Sequence, residues 1–322
     1  MLALADAWVW DFWLAEDAGL YHCFFLHAPK ALGDANLRHR NARIGHASSR
    51  DLVHWTEHAV ALAPSPAGAF DDTATWTGSV LRGPDGLWRL FYTGAHFLSP
   101  DAATNIETIG VATSPDLFTW TKLPGPIVRA DARWYETLGT SAWPEEAWRD
   151  PWVFADPDGE GWHMLVTARA NAGDEFDRGV VGHAVSTDLE TWQVRPPLSQ
   201  PHSGFAHIEV TQVIEIGGRI IVLFCCDAPR LAGPNAGGIG GIWWAPAAGP
   251  VGPFDIAAAR LLLPETWYAG RAVKDPEGRW VLLAFSMRAA DGSFPGTISD
   301  PMPLGLDADG NLLVLEPATV VP

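Results

Sequence analysis

The chain has 322 residues, 48% of them apolar, and its 38 acidic against 21 basic side chains give a net charge of -17. That length suits one large all-β barrel or propeller with a sizeable core, and no segment is polar or repetitive enough to read as disordered. The negative charge argues against nucleic acid or an anionic membrane as partner.

The N-terminal stretch MLALADAWVWDFW lacks the positive n-region and small-residue cleavage site of a signal peptide. No apolar run reaches the roughly 18 residues a membrane-spanning helix needs. Cys23, Cys225 and Cys226 form neither a metal spacing nor a disulfide framework, and each lies in an apolar run where a buried thiol is the default. A cytoplasmic enzyme or binding protein is the expectation. The 17 tryptophans pack a core or stack on the C–H faces of sugar rings; composition does not choose.

Asp11 comes first among the notable residues, set between Trp10 and Phe12 in WVWDFWL (8–14). An Asp making a local turn hydrogen bond is the plain alternative, but Asp11 stands away from the turn that follows. That turn opens a series of five stretches sharing a Gly-bearing turn and an apolar strand. They are EDAGLYHCFFLHA (16–28), GPDGLWRLFYTGA (83–95), DPDGEGWHMLVTA (156–168), EIGGRIIVLFCC (215–226) and DPEGRWVLLAFSM (275–287). Asp-Gly and Gly-Gly between apolar runs signal hairpins, because glycine accepts the positive φ of primed turns. Tyr21, Trp88, Trp162, Ile220 and Trp280 mark equivalent points, 67, 74, 58 and 60 residues apart.

A second repeat interleaves with the first three: IGHASSRDLVHW (44–55), IGVATSPDLFTW (109–120) and VGHAVSTDLETW (181–192). Each reads as a third strand, a polar turn and a fourth strand beginning at Trp55, Trp120 or Trp192, which recur as architecture. Four-strand units of about 60–70 residues are propeller blades. The expectation is an all-β, five-bladed β-propeller filling 1–322 as a single domain, with blades beginning near residues 8, 75, 148, 207 and 267 and no C-terminal β-sandwich.

The first strand of a blade lines the central channel. Counting back eight residues from Gly19, Gly86, Gly217 and Gly278 gives Asp11, Gly78, Glu209 and Gly270; counting nine from Gly159, in a longer turn, gives Asp150. Three blades thus place a carboxylate at one inner position. In EEAWRDPWVF (145–154) Arg149 precedes Asp150, and a charged pair in an apolar strand is costly unless paired or used. Bracing of a blade edge is the ordinary reading; three carboxylates in register favour a site.

At these residues the chain resembles the furanosidase propellers of glycoside hydrolase families 32 and 68, with family 43 more distant. GLYHCFFLHAP (19–29) is similar to the family 32 run Y-H-L-F-Y-Q-Y-N-P. GHASSRDLVHW (45–55) and ALAPSPAGAFDDTATWTGSV (61–80) follow that family's order of D-L-V-H-W, A-L-A-P, F-D and W-S-G-S. WVWDFWL resembles the V-W-D-S-W of family 68, and WRDPWVFADPDG (148–159) the R-D-P segment of both. The resemblance spans residues 5 to about 290. It implies a nucleophile, a transition-state stabiliser and an acid/base in chain order, matching Asp11, Asp150 and Glu209. Departures are the absent N-D-P-N-G opening, Leu26 in place of Gln, and Val210 after the acid/base.

Asp11 would attack the anomeric carbon, Glu209 would protonate the departing oxygen, and Asp150 would stabilise the oxocarbenium-like transition state. Arg149 would fix Asp150 or a sugar hydroxyl. Trp76 and Ser79 in TWTGS are candidate sugar contacts, with Trp8, Trp10, Phe70 and Asp71 weaker ones; Tyr268 and Arg271 in WYAGR would face the cavity from the fifth blade. Loops 29–43, 96–108 and 228–240 would shape its rim. No cofactor is implied, no metal spacing emerges among the histidines, and His22 reads as a core residue. The expected activity is retaining hydrolysis of β-fructofuranosyl ends of sucrose or short fructooligosaccharides, including transfer of fructosyl. An inverting α-L-arabinofuranosidase of family 43 type and a non-catalytic sugar-binding propeller are the alternatives. The small carbohydrate is the partner, and the sequence leaves room for a homo-oligomer covering the rim.

Overall fold

The computed structural model describes residues 1–159 and 161–315. Their strands form five antiparallel-built sheets, each following chain order from an inner to an outer strand. The first blade comprises Ala7–Asp17, Leu20–Pro29, Arg43–Ser49 and Thr56–Glu57; the second Ala74–Arg82, Trp88–Phe97, Asn105–Ser114 and Thr121–Lys122. The third comprises Trp148–Ala155, Trp162–Arg169, Gly179–Ser186 and Gln193–Arg195. The fourth holds Glu209–Ile216, Arg219–Cys226, Gly241–Pro246 and Arg260–Pro264, and the fifth Trp267–Lys274, Trp280–Ser286, Met302–Leu306 and Leu312–Val314. Among the described residues every strand belongs to one of these sheets; Glu145–Glu146 joins the second by pairing parallel to Asn105–Ile106. The fold is the expected five-bladed propeller. Positions 316–322 of the expected domain lie outside the described residues.

The interleaved repeat owes its sequence to one turn. Ser49 Oγ accepts the N–H groups of Asp51 and Leu52, and Asp51 Oδ1 accepts those of Val53 and His54. Leu52 sits at φ +64° and is fully buried. Leucine rarely adopts that conformation; here the turn is pinned on both sides by capped N–H groups and by burial of the side chain. Ser114–Asp116–Leu117 and Ser186–Asp188–Leu189 repeat the pattern. The tryptophans then seal neighbouring blades: Trp120 meets Phe24 edge-on at 5.4 Å, and Trp192 meets Phe91 at 5.7 Å. The core accordingly runs between blades. His22 is buried in it, hydrogen-bonded through Nδ1 to His46 Nε2 at 2.9 Å.

All five inner strands break register near their first residues. The breaks fall between Trp10 and Phe12, Trp76 and Gly78, Arg149 and Trp152, Glu209 and Gln212, and Tyr268 and Arg271. Such bulges leave a residue unpaired and re-aim its side chain. Asp150, Val210 and Ala269 at three of them take φ values of +58°, +54° and +47°. This corrects the register counted from the turns. Asp11, Thr77, Asp150, Val210 and Ala269 occupy the bulges, whereas Glu209 is equivalent to Trp10, Trp76, Arg149 and Tyr268, the paired residues just before. The turn glycine equivalent to Gly19 is Gly218, not Gly217: Ala18–Gly19 and Gly217–Gly218 are matching two-residue turns with both φ values positive. Longer connections in the second and fifth blades shift Gly78 and Gly270 in the same way.

Candidate active site

Where the inner strands bulge they surround a cavity of about 360 Å³. Asp11, Thr77, Asp150 and Val210 from the bulges, and Trp76, Arg149, Glu209 and Tyr268 from the preceding positions, all line it. The bulges explain how one strand offers two consecutive side chains, Arg149 and Asp150, to the same space. Pleated strands send consecutive side chains to opposite faces.

Asp11 accepts a hydrogen bond at Oδ2 from Thr77 Oγ1 at 2.6 Å. Burial, reinforced by the charge of Asp150, raises its pKa to about 7 against the opposing hydrogen bond from Thr77. Asp150 donates its backbone N–H to Thr93 Oγ1 at 2.9 Å, and its Oδ2 accepts from Thr167 Oγ1 at 2.8 Å. Burial raises Asp150 as well, while Arg149 pulls the other way. Glu209 is held at both oxygens: Oε1 accepts from Arg149 Nη2 at 2.6 Å, and Oε2 from the Tyr268 hydroxyl at 2.6 Å. Burial pushes Glu209 up, but Arg149, His207 and Tyr268 together outweigh it and hold it well below the usual carboxylate range.

Arg149 is the electrostatic centre of this wall. Its Nη1 donates to Glu107 Oε2 at 2.9 Å and Glu145 Oε2 at 3.3 Å, its Nη2 reaches His207 Nδ1 at 3.1 Å, and Asp150 lies 3.6 Å from its Nε. One guanidinium thus faces four carboxyl groups. Glu107 is the deepest of these, and burial raises it to about 8 in spite of Arg149. It falls in the expected rim segment 96–108, but its setting, NIETIG on a third strand, did not single it out. Glu145 arrives on the short strand preceding the third blade. The rim loops supply Arg38 and His39, Phe97 and Ala103, and Arg230, as their positions suggested. Thr77 is a lining residue that sequence reasoning missed, and Arg38 and His39, carried by a 3-10 turn over Ala35–Asn41, come from an expected rim loop without having been singled out.

Six candidate contacts lie outside this cavity. Ser79 is buried, its Oγ accepting the Val153 N–H at 3.1 Å, so it stitches the second inner strand to the third. Trp8 packs into the core near Gly296, and Trp10 backs the cavity wall by an edge contact with His39 at 6.2 Å. Phe70 and Asp71 line a separate cavity of about 690 Å³, where Asp71 accepts from the Tyr92 hydroxyl at 3.0 Å and pairs with Lys122. Phe70 turns there because Gly94 and Gly110 leave room for its ring. Arg271 is buried and donates to the carbonyls of Phe12, Val210 and Thr211, tying together the first, fourth and fifth inner strands. Each engages the protein around it away from this cavity: Ser79 and Arg271 across inner strands, and Trp8, Trp10, Phe70 and Asp71 in the contacts just described. Among the described residues no group of three or more His, Cys, Asp or Glu is arranged to hold a metal ion, and no helix is long and apolar enough to cross a membrane.

The sequence pattern of the glycosyl hydrolases family 32 N-terminal domain matches residues 13–291. Raffinose invertase of Escherichia coli is 30% identical over 195 residues, 59% of this chain and 35% of the relative. Sucrose-6-phosphate hydrolase of Zymomonas mobilis is 28% identical over 296 residues, 85% of this chain and 52% of the relative. The chain spans about half or less of the length of these relatives. Among solved structures, inulosucrase from Halalkalicoccus jeotgali bound to kestose superposes with a TM-score of 0.80 at 21% identity, covering 96% of this chain and 89% of that one. Levansucrase from Gluconacetobacter diazotrophicus gives 0.73 at 18% identity, covering 95% and 80%. At these identities the structural likeness shows the shared propeller fold.

Proposed function

Since the chain belongs to glycosyl hydrolase family 32, we propose that it is a retaining β-fructofuranosidase acting on sucrose or short fructooligosaccharides. The observation that carries this reading is the convergence of Asp11, Asp150 and Glu209, from three different inner strands, on one cavity of about 360 Å³. A space of that size suits a sugar residue with a small leaving group. The relatives are named raffinose invertase and sucrose-6-phosphate hydrolase, which favours this reading over the arabinofuranosidase and binding-only ones.

Asp11 attacks the anomeric carbon of the fructosyl unit while the bond to the leaving oxygen breaks and Glu209 supplies that oxygen's proton. The covalent fructosyl-enzyme is then opened by water or a sugar hydroxyl, whose proton returns to Glu209. A sugar acceptor gives transfer instead of hydrolysis. Asp150, rigidly held by Thr93 and Thr167, accepts from ring hydroxyls and places negative charge beside the oxocarbenium-like centre. Arg149 orients Glu209 rather than the sugar. In the resting site burial raises Asp11, while Arg149, His207 and Tyr268 lower Glu209. Interacting carboxyls titrate as one set, and positive charge developing next to Asp11 favours the ionised form that attacks.

The test is turnover of sucrose by the wild type and by Asp11→Asn: fructose or fructosyl products from the first and none from the second support the reading. We also place the enzyme in the cytoplasm, supported by its three free, buried cysteines; cell fractionation checks it.

A further inference from the structure

The arginines of the cavity wall differ in what they hold. Arg149 bonds or faces Glu107, Glu145, Asp150 and Glu209, and Arg230 pairs with Asp227 at 2.9 Å. Arg38 lines the same cavity and is only 7% exposed, yet it has no such partner. Among the described residues its one hydrogen bond runs from Nη1 to the Ala35 carbonyl at 2.9 Å, its Nε is buried without a partner, and no carboxylate pairs with it. A guanidinium carries donors alone, so the remaining N–H groups on Nη1 and Nη2 stand on the cavity wall without acceptors. A buried cation left so is costly. Burial lowers its pKa only to about 10, and it keeps its charge at neutral pH.

The fold sets this side chain in place. Asp34 opens the 3-10 turn by accepting the Asn36 N–H at 2.9 Å, and Arg38 is the one residue of Ala35–Asn41 that the turn buries. Its guanidinium lies 4.2 Å from the ring centroid of Phe294 and 5.7 Å from that of Trp10, the residue before Asp11. Such contacts hold a cation over aromatic faces without using its N–H groups. Asp11 is the carboxylate that acts on it most strongly, followed by Asp34. Glu209, by contrast, is held by Arg149 and Tyr268. Arg38 therefore flanks the nucleophile, and the leaving-group side belongs to other residues.

Resting on the reading of Asp11 as nucleophile, we propose that Arg38 is a specificity-determining residue that donates to a hydroxyl oxygen of the fructosyl unit. A neutral sugar suits the place better than an anion, because Asp150, Glu107, Glu145, Glu209 and Asp227 line the same cavity and repel negative charge. A fixed cation beside Asp11 gives no help to positive charge developing at the anomeric carbon. Its contribution goes to binding, and its loss falls on KM.

The experiment compares wild type with Arg38→Met on sucrose and on sucrose deoxygenated in turn at each hydroxyl-bearing carbon of the fructosyl unit. Methionine keeps an apolar stem and removes the uncompensated charge, so the midpoint of thermal unfolding should equal or exceed that of wild type. kcat/KM for sucrose should fall roughly 10–100-fold, mostly through KM, as a lost charge-assisted hydrogen bond requires. One deoxy analogue should be slowed by a similar factor in wild type, and the variant should turn it over as well as it does sucrose. An unchanged KM in Arg38→Met overturns the proposal. So does a lowered melting midpoint with sucrose and every analogue slowed by one common factor, which would make Arg38 a structural residue. A wild type that releases no fructose from sucrose, or an Asp11→Asn variant that still does, fells the reading of the site itself and this proposal with it.

Discussion

The guanidinium of Arg149 holds one oxygen of Glu209 at 2.6 Å while also bonding Glu107 at 2.9 Å and Glu145 at 3.3 Å. Glu209, the proposed acid/base, is thereby tied to a buried charge network reaching the third strand of the second blade. Breaking such a network by removing its cation leaves several buried carboxylates uncompensated, which is strongly destabilising. Arg149→Lys keeps the charge but loses the fork. It is expected to reduce sucrose turnover by roughly 10–100-fold with a smaller change in KM. Because Arg149 favours the ionised form of Glu209, loosening it raises the Glu209 pKa, and the limb of the pH–rate profile that reports Glu209 should move to higher pH.

Asp11→Asn carries a stability signature besides loss of turnover. The folded pKa of Asp11, about 7, lies above its unfolded value of 3.8. Folding is therefore disfavoured by ionisation of Asp11 as pH rises through that window, and the penalty is complete above the folded value. The variant should melt about 2–4 °C higher than wild type at pH 8, with the difference disappearing near pH 4. Thermal denaturation at the two pH values checks this.

Thr77→Val removes the hydroxyl that donates to Asp11 at 2.6 Å. That bond favours the carboxylate, so its loss raises Asp11 further and moves the limb of kcat/KM that reports Asp11 to higher pH. Turnover at pH 5–6 is expected to drop about tenfold more than turnover at pH 8, because a pKa higher by about one leaves roughly a tenth as much ionised carboxylate on the acid side. A full pH–rate profile of the variant is the measurement.

Asp116→Ala strips the N–H acceptor from the turn that holds Leu117 at φ +66°. By analogy with helix caps, the loss should cost about 1 kcal/mol. The midpoint of thermal unfolding should fall by about 2–4 °C, while kcat and KM for sucrose stay at wild-type values, since the turn lies at the far end of the strands from the cavity.

Much of the architecture was legible because turn chemistry repeats: Gly at the first hairpin of every blade, Ser-x-Asp-Leu at the third of the first three. Those residues are dictated by backbone conformation, so they survive as letters in the sequence. Asp11, Asp150 and Glu209 could be singled out because they stand at fixed distances from such turns. Their relative register could not, because a bulge inserts a residue without a compositional mark, and Glu209 proved equivalent to Arg149 rather than Asp150. Glu107, Arg38 and His39 fell in the expected rim segments 96–108 and 29–43 but could not be singled out, for another reason. They reach the cavity from a third strand and a loop, and their proximity to Arg149 or Asp11 is set by how blades close around the axis. Ser79 resembled a sugar contact by motif and Arg271 by its place before the last hairpin, yet their hydrogen bonds run between inner strands. Phe70 and Asp71 sit in a connection whose order along the chain says nothing of the cavity it faces.

Proton NMR of the protein incubated with sucrose together with an aryl α-L-arabinofuranoside tests the central claim most directly. The account predicts fructose or fructosyl-sugar products from sucrose, absent with Asp11→Asn, and no arabinose. Arabinose release alone, or fructose release undiminished in Asp11→Asn, would contradict it.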